Sequence, residues 1–119
     1  MSTRVVFMGS PDFALPSLRG LASGNGSHSH PYEVVGVVTQ PDRASGRGRE
    51  IKMPPVKALA LELGLSLIQP EKLRQPEALD QLRAWAPDLV VVAAFGQILK
   101  PGVLDLPRFG CINVHASLL

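Results

Sequence analysis

The stretch Leu89-Val90-Val91-Val92-Ala93-Ala94-Phe95 is the longest unbroken apolar run in this chain of 119 residues. A similar run, Val34-Val35-Gly36-Val37-Val38, lies earlier in the sequence. Both runs are continuous rather than alternating in polarity, which is typical of strands covered on both faces. Such strands belong to parallel sheets that lie between two layers of helices. Neither run approaches the ~20 apolar residues that a membrane-spanning helix needs, so no membrane association is expected.

The remaining apolar runs extend this pattern into an alternation of strands and helices. Apolar residues at helical spacing predict a helix over residues 55–63, and Pro76 opens a second helical segment. A further helix is predicted over residues 12–21, with an irregular opening turn because Pro16 lies inside it. The predicted strands are residues 4–9, 32–39, 66–68, 88–95 and 111–115. We therefore expect an α/β fold with a Rossmann-like, doubly wound, mainly parallel sheet, in which ligands bind beyond the carboxyl ends of the strands.

Length, charge and cysteine content limit the classes of function. The chain is about one domain long, and its formal charge of +2 is too small to indicate nucleic-acid binding by itself. Cys111 is the single cysteine, so no disulfide is expected and a reducing, cytoplasmic setting fits best. Residues 2–4 lead directly into the first predicted strand, and no signal peptide is expected.

The glycine pattern argues against a dinucleotide cofactor. The turn after the first strand reads Gly9-Ser10-Pro11-Asp12 and not Gly-x-Gly-x-x-Gly, and the Gly-x-Gly pairs at residues 24–26 and 46–48 lack the required context. We therefore expect neither NAD nor a nucleoside triphosphate. His28 and His30 lie in a polar connection without cysteine or acidic neighbours, so no metal site is predicted there.

The most unusual segment, residues 39–52, leaves the second predicted strand at its carboxyl end. Its cations are Arg43, Arg47, Arg49 and Lys52, set against Asp42 and Glu50. Arginine side chains bind phosphate groups in a bidentate manner, and the glycines of this segment let the backbone approach another polymer. A solvated surface loop without a ligand would show the same composition, so both interpretations stay open on the residues alone.

Two more segments bring reactive or binding groups to the same edge. Phe95-Gly96-Gln97-Ile98-Leu99 suits the wall of a pocket for a flat heterocycle, and it suits simple core packing equally well. In the last strand, Asn113 and His115 are two residues apart, so their side chains face the same way with Cα atoms ~6.6 Å apart. An amide N–H beside an imidazole suits a developing oxyanion and a moving proton. A strand end that turns polar as it leaves the core is the alternative.

Together these segments resemble the methionyl-tRNA formyltransferase family. The similarity includes residues 5–14, 37–43, 46–48, 69–74, 94–99 and 110–115. Several independent matches in the same order are far more specific than any single one. The resemblance implies the formyltransferase fold and transfer of a formyl group from 10-formyltetrahydrofolate to the amino group of methionine on initiator tRNA. It also implies a monomeric, cytoplasmic protein of translation initiation that uses no metal.

The resemblance further implies roles for individual residues. Asn113 and His115 correspond to two members of a catalytic trio whose third member is an aspartate. The residues that correspond to folate-binding segments are Phe95, Gly96, Gln97, Ile98, Ser117, Leu118 and Leu119. The residues that correspond to the arm on the tRNA acceptor end are Arg43, Arg47, Arg49 and Lys52, with Arg43 aligned to the key arginine.

The resemblance also sets the expected domain organisation and its alternatives. Residues 1–119 are expected to form the N-terminal portion of the catalytic domain, ahead of the family's aspartate and its C-terminal tRNA-binding domain, and not to turn over alone. A glycinamide ribonucleotide formyltransferase, or another folate-dependent formyltransferase, shares the Asn-x-His pair, but the former places a phosphate-binding glycine turn where this chain has Ser10-Pro11. A non-catalytic fragment that binds tRNA or folate is the remaining alternative.

Overall fold

The strands and helices of the chain follow the predicted alternation. The computed structural model describes residues 2–23, 31–45, 48 and 50–114. The strands are β1 (Thr3–Gly9), β2 (Tyr32–Val38), β3 (Arg43–Ser45), β4 (Glu50–Lys52), β5 (Leu67–Ile68), β6 (Leu89–Ala93) and β7 (Cys111–Val114). The helices are α1 (Leu15–Ala22), α2 (Pro55–Glu62), α3 (Pro76–Trp85) and α4 (Pro101–Leu104), and a 3-10 turn (Asp12–Ala14) precedes α1. In the described part of the chain, no helix is both long enough and apolar enough to cross a membrane.

Five of these strands form one parallel sheet in the order β5-β2-β1-β6-β7. Strand β1 lies at the centre, between β2 and β6. The connections that follow β1 lead outward to β5, whereas those that follow β6 lead outward in the other direction to β7. The strand order therefore reverses between β1 and β6, and doubly wound folds bind their ligands at that point. The predicted fold class is confirmed.

Helices cover both faces of the sheet, as the continuous apolar strands predict. Val5 and Phe7 of β1 belong to the layer that packs against α1 and α2, and both are fully buried. Val6 and Met8 belong to the layer that packs against α3 and α4, and both are again fully buried. Because successive side chains of a strand point to opposite faces, a strand buried on both faces needs apolar residues at every position.

The sequence does not predict three short elements and the end of one strand. Strands β3 and β4 pair antiparallel as a hairpin, so the basic segment is not a loop throughout. Helix α4 has four residues, too few for a helical spacing to show in the sequence. The strand predicted over residues 88–95 ends at Ala93, because Ala94 takes a left-handed backbone conformation with φ of 55°.

Strands β1 and β6 approach each other closely where both end. A Cβ atom on Gly9 would lie 2.6 Å from the Ala93 carbonyl oxygen and 2.9 Å from a ring atom of Phe7. The first of these neighbours is backbone and cannot rotate away, so this position of β1 has room only for glycine. The close approach brings the loops that follow β1 and β6 together at the carboxyl edge of the sheet.

Candidate active site

Asn113 lies near the end of β7, at the carboxyl edge of the sheet. It is the register partner of Val92 in β6, so its side chain lies on the face that α3 and α4 cover. Asn113 is exposed, and its amide makes no hydrogen bond to another described residue. No other described residue therefore occupies its N–H donors.

Cys111 precedes Asn113 by two residues and lies on the same face. It packs against the core layer that contains Val92. Burial raises the pKa of the Cys111 thiol, so the thiol stays protonated near neutral pH. Cys111 is therefore not a thiolate nucleophile.

A cavity of about 490 Å³, here called the Asn113 cavity, opens at the ends of β6 and β7. Its lining residues are Phe13, Val92, Ala94, Phe95, Gly96, Gln97, Asn113 and Val114. The predicted residues Phe95, Gly96 and Gln97 thus surround the same space as Asn113. Phe95 is only 2% exposed, so it packs in the core as well as lining this cavity. A space of this size with apolar walls and a few amides is typical of sites for small organic ligands.

A second cavity of about 460 Å³, here called the outer cavity, shares Gly96 and Gln97 with the Asn113 cavity. Ile98 lines the outer cavity and not the Asn113 cavity. The other apolar residues of its lining are Leu73, Leu79 and Val103. The cations of its lining are Lys72, Arg74 and Lys100. Of the four described residues predicted to bind folate, Ile98 alone is therefore separated from Asn113.

Three glutamine side chains hold the loops at this edge together. Gln40 Nε2 donates to the Phe95 carbonyl oxygen at 3.0 Å, and Gln97 Nε2 donates to Gln40 Oε1 at 3.2 Å. Gln69 Nε2 donates to the Gln40 carbonyl oxygen at 3.1 Å. Gln97 Oε1 in turn accepts a hydrogen bond of 3.0 Å from the Leu73 backbone N–H. Neutral amides therefore connect the segments that follow β2, β5 and β6.

Gln40 and Gln69 were not predicted to belong to the site. The available signal is weak: each is an amide that follows an apolar strand, and parallel strands end at the same edge of a sheet. The contact between Gln40 and Gln97 joins residues 57 positions apart, and nothing in either local sequence indicates it.

Asp42 anchors the hairpin of β3 and β4 at the residue before β3 begins. Lys57 Nζ donates to its two carboxylate oxygens at 2.9 and 3.1 Å, and Gln69 Nε2 donates to it at 2.7 Å. The hydrogen bond from Gln69, and then that from Lys57, holds the pKa of Asp42 below its ordinary value of 3.8. Because Gln69 also contacts Gln40, the root of the hairpin and the wall of the Asn113 cavity belong to one hydrogen-bonded network.

The hairpin carries two cations, Arg43 and Lys52, that form no ion pair with another described residue. Arg43 lies directly opposite Lys52 in the register, and both are exposed. Two ion pairs form among the described residues, Lys57 with Asp42 and Arg83 with Asp80, and neither involves these two cations. Like charges directly opposite each other disfavour a ribbon, so an anion placed between them would stabilise it.

A protein-family model described as formyl transferase matches residues 3–119. The chain belongs to the formyl transferase family. Two methionyl-tRNA formyltransferases are among its relatives, one from Geobacillus thermodenitrificans and one from Bacillus subtilis. Each is 56% identical to this chain over 117 residues, or 98% of the chain. The chain spans 35% of the length of these relatives.

Solved structures confirm the formyl transferase fold of the chain. Glycinamide ribonucleotide transformylase 1 from Geobacillus kaustophilus superimposes with a TM-score of 0.71 over 100% of this chain and 61% of that chain. Phosphoribosylglycinamide formyltransferase from Brucella melitensis superimposes with a TM-score of 0.68, over 100% of this chain and 59% of that chain. Their sequence identities are 17% and 20%, so the likeness is one of fold alone.

Part of the predicted site of this formyl transferase chain lies outside the described residues. These residues are Arg47, Arg49, His115, Ser117, Leu118 and Leu119. The connection with His28 and His30, where no metal site is predicted, also lies outside the described residues. The predicted proximity of Asn113 to His115 therefore stays a prediction. Within the ranges that the structure describes, no group of three or more His, Cys, Asp or Glu side chains is placed to hold a metal ion.

Proposed function

We propose that the protein containing this chain transfers a formyl group from 10-formyltetrahydrofolate to the amino group of methionyl-initiator tRNA. The observation that carries the proposal is the clustering of Asn113 with Phe95, Gly96 and Gln97 around one cavity, in a formyl transferase chain. The identity of 56% to proteins named methionyl-tRNA formyltransferase supports this choice of acceptor. Residues 1–119 are proposed to form a portion of the catalytic domain.

The residues around the Asn113 cavity suit a folate donor. The apolar walls from Val92 and Phe95 fit the face of a flat ring, and the amides of Gln97 and Asn113 supply hydrogen-bond partners. The outer cavity continues this surface across Gly96 and Gln97 and adds Ile98. Ser117, Leu118 and Leu119 are proposed to complete the donor site by resemblance to the family.

The proposed chemistry moves one carbon from one nitrogen to another. The bound donor supplies the formyl carbon as the electrophile, and the free methionyl amine forms a new C–N bond while the old C–N bond breaks. Asn113 Nδ2 donates a hydrogen bond to the formyl oxygen as negative charge develops on it. His115 takes the proton that the attacking amine loses and returns a proton to the departing nitrogen.

The hairpin is proposed to bind the acceptor end of the tRNA. Arg43 and Lys52 place two cations side by side that form no ion pair with another described residue, and such a pair suits two successive phosphate groups. Arg47 and Arg49 are proposed to add to this surface. Attachment of the hairpin root through Asp42 holds these cations at the same sheet edge as the Asn113 cavity.

Glycinamide ribonucleotide as the acceptor is the alternative to be tested. The segment that follows β1 offers Ser10 and Pro11 and then the 3-10 turn, where a phosphate-binding glycine turn would be needed. The Arg43–Lys52 pair, in turn, suits a long polyanion better than one sugar phosphate. A cytoplasmic location and a monomeric state are further proposals.

The experiment that tests the function measures formyl transfer by the full-length protein that contains this sequence. Radiolabelled 10-formyltetrahydrofolate is offered with methionyl-initiator tRNA, and separately with glycinamide ribonucleotide. We expect label to transfer to the tRNA alone. Transfer to glycinamide ribonucleotide with similar kcat/KM would contradict the proposal, and binding of tRNA and folate without any transfer would support a non-catalytic role.

A further inference from the structure

We propose that Gln40 is a positioning residue for formyl transfer. Its side chain holds the segment of residues 94–99, and so fixes the wall that the Asn113 cavity and the outer cavity share. This inference rests on the proposed function, because it assigns a role toward the formyl donor. The sequence of residues 39–42 does not predict this positioning role. The role is inferred from the contacts of Gln40 in the structure.

All four polar groups of Gln40 are hydrogen-bonded. Its side chain donates to the Phe95 carbonyl oxygen and accepts from Gln97 Nε2, at 3.0 and 3.2 Å. Its backbone N–H donates to Ser10 Oγ at 3.0 Å, and its carbonyl oxygen accepts from Gln69 Nε2 at 3.1 Å. The backbone contacts fix the main chain of Gln40 to the loops after β1 and β5. Its side chain is therefore anchored at its base and can hold the segment after β6 in place.

The segment of residues 94–99 depends on side chains for its conformation. None of the loop and turn backbone hydrogen bonds among the described residues involves this segment. Its backbone takes positive φ at Ala94 and again at Gly96, with values of 55° and 91°. Non-glycine residues rarely adopt such a conformation, so Ala94 keeps it only where neighbouring contacts impose it.

Gln40 lies directly against the backbone of Gly96. A Cβ atom on Gly96 would lie 2.9 Å from Gln40 Nε2, so the amide occupies the space that any larger residue would need. Gln97 is held from the opposite side as well, by the Leu73 N–H at 3.0 Å and by contacts of its Nε2 with the Pro70 and Glu71 carbonyl oxygens at 3.4 and 3.2 Å. Gln40 therefore provides the side-chain attachment of this segment to the end of β2.

The position of Gln40 indicates an indirect role. Within the described residues Gln40 lines neither cavity, whereas Gly96 and Gln97 line both. Gln40 therefore does not contact a ligand in either space and acts through those two residues. Its loss should loosen the donor site without touching the cations of the hairpin, so donor and tRNA should respond differently.

The test compares Gln40→Met with Gln81→Met in the full-length protein. Methionine keeps the length of the side chain but removes both amide hydrogen bonds, and Gln81 lies on α3 without a side-chain hydrogen bond to another described residue. Losing two hydrogen bonds of ~1 kcal/mol each should raise KM for 10-formyltetrahydrofolate roughly tenfold to thirtyfold. We expect KM for methionyl-initiator tRNA to change less than twofold, and Gln81→Met to leave both values unchanged.

A double-mutant cycle separates positioning from a general loss of stability. If Gln40 acts through Gln97, then Gln40→Met should have a much smaller effect on the donor KM in a Gln97→Met background. Equal increases in the two KM values, or fully additive effects in the cycle, would overturn the proposal.

Hydrogen exchange tests the same contact without relying on activity. The backbone N–H of Leu73 donates to Gln97 Oε1, so its amide proton should exchange faster in Gln40→Met than in wild type or in Gln81→Met. Unchanged exchange there would overturn the proposal whatever the assay gives. A wild-type protein that transfers no formyl group, but whose segment loosens in Gln40→Met, would instead contradict the proposed function and leave the structural role of Gln40 supported.

Discussion

The amino and carboxyl edges of the same sheet are held by different chemistry. At the amino edge, the Arg4 guanidinium donates from Nε and from Nη2 to the Trp85 carbonyl oxygen at 2.9 and 2.8 Å, and the Asp88 carboxylate accepts the Arg4 backbone N–H at 2.9 Å. At the carboxyl edge, the glutamine amides of Gln40 and Gln97 make the corresponding attachments. Charged groups make the contacts at the amino edge. At the carboxyl edge no charged residue is among the described lining of the Asn113 cavity, and the Asp42–Lys57 ion pair lies at the root of the hairpin.

This difference predicts that substitutions at the two edges separate activity from stability. A carboxylate beside the Asn113 cavity would repel the oxygen on which negative charge develops, whereas an amide N–H stabilises it. The amino edge is the opposite end of the sheet from the Asn113 cavity, so full charges there do not disturb the proposed chemistry. Substitutions around the Asn113 cavity should therefore change turnover. Those at the amino edge, and at the ion-paired root of the hairpin, should change the free energy of unfolding.

The largest effect is expected for Asn113→Ala. Loss of one hydrogen-bond donor to a developing oxyanion should lower kcat of the full-length protein by about 10²–10³. The melting temperature should not fall, because Asn113 is exposed and makes no hydrogen bond to another described residue. Ile112→Ala is the matched control on the same strand, since Ile112 pairs with Val91 and points to the other face. A fall in kcat of less than threefold in Asn113→Ala would remove its proposed role.

The next effect concerns the hairpin. Replacing Arg43 and Lys52 together by Met should raise KM for methionyl-initiator tRNA about tenfold, with the donor KM unchanged. The slope of log affinity against log salt concentration should become shallower by about one for each phosphate contact that is lost. Arg19→Met, which removes an exposed cation on α1, is the control. An unchanged salt slope in the double variant would show that these two cations do not contact phosphate.

The sequence predicts the interior of the sheet better than its edges. Strands β1 and β6 are buried on both faces, and continuous apolar runs such as theirs are typical of strands in that position. The end of β6 could not be predicted, because the conformation of Ala94 depends on packing and not on its own side chain. The hairpin was missed because its strands carry Arg43 and Lys52 in place of an apolar pattern.

The same reasoning applies to the site. Asn113 stands out because an amide follows an apolar run in a strand that ends at the ligand-binding edge, and its exposed position beside a cavity agrees with that reading. Gln40 could not be identified from the sequence, because its proposed role depends on a contact with Gln97, which is 57 positions away in the chain. The residue proposed to contact a ligand could be found from local sequence, whereas the residue proposed to position the cavity wall needed the tertiary structure.

A smaller effect is expected at the amino edge. Arg4→Met removes the two hydrogen bonds to the Trp85 carbonyl oxygen at the end of α3 and keeps most of the apolar stem. The free energy of unfolding should fall by ~1 kcal/mol, with kcat and both KM values unchanged below the melting transition. Urea denaturation and steady-state kinetics on the same protein sample measure both quantities. A tenfold loss of kcat with no loss of stability would contradict the division of roles between the edges.

The smallest effect is a change in the acid limb of the stability curve. The pKa of Asp42 is lowered in the folded protein by Gln69 and then by Lys57, so the unfolded chain binds its proton more readily. The stability that this carboxylate contributes is therefore present above pH 3.8 and is lost as the pH falls through the lowered pKa. Asp42→Asn should lower the melting temperature slightly at pH 7, and the difference from wild type should vanish in acid below that pKa. Asp80→Asn, which removes an exposed ion pair with Arg83, should leave the melting temperature almost unchanged throughout. A difference between wild type and Asp42→Asn that stays constant into strong acid would mean that Asp42 is not held as a carboxylate at the root of the hairpin.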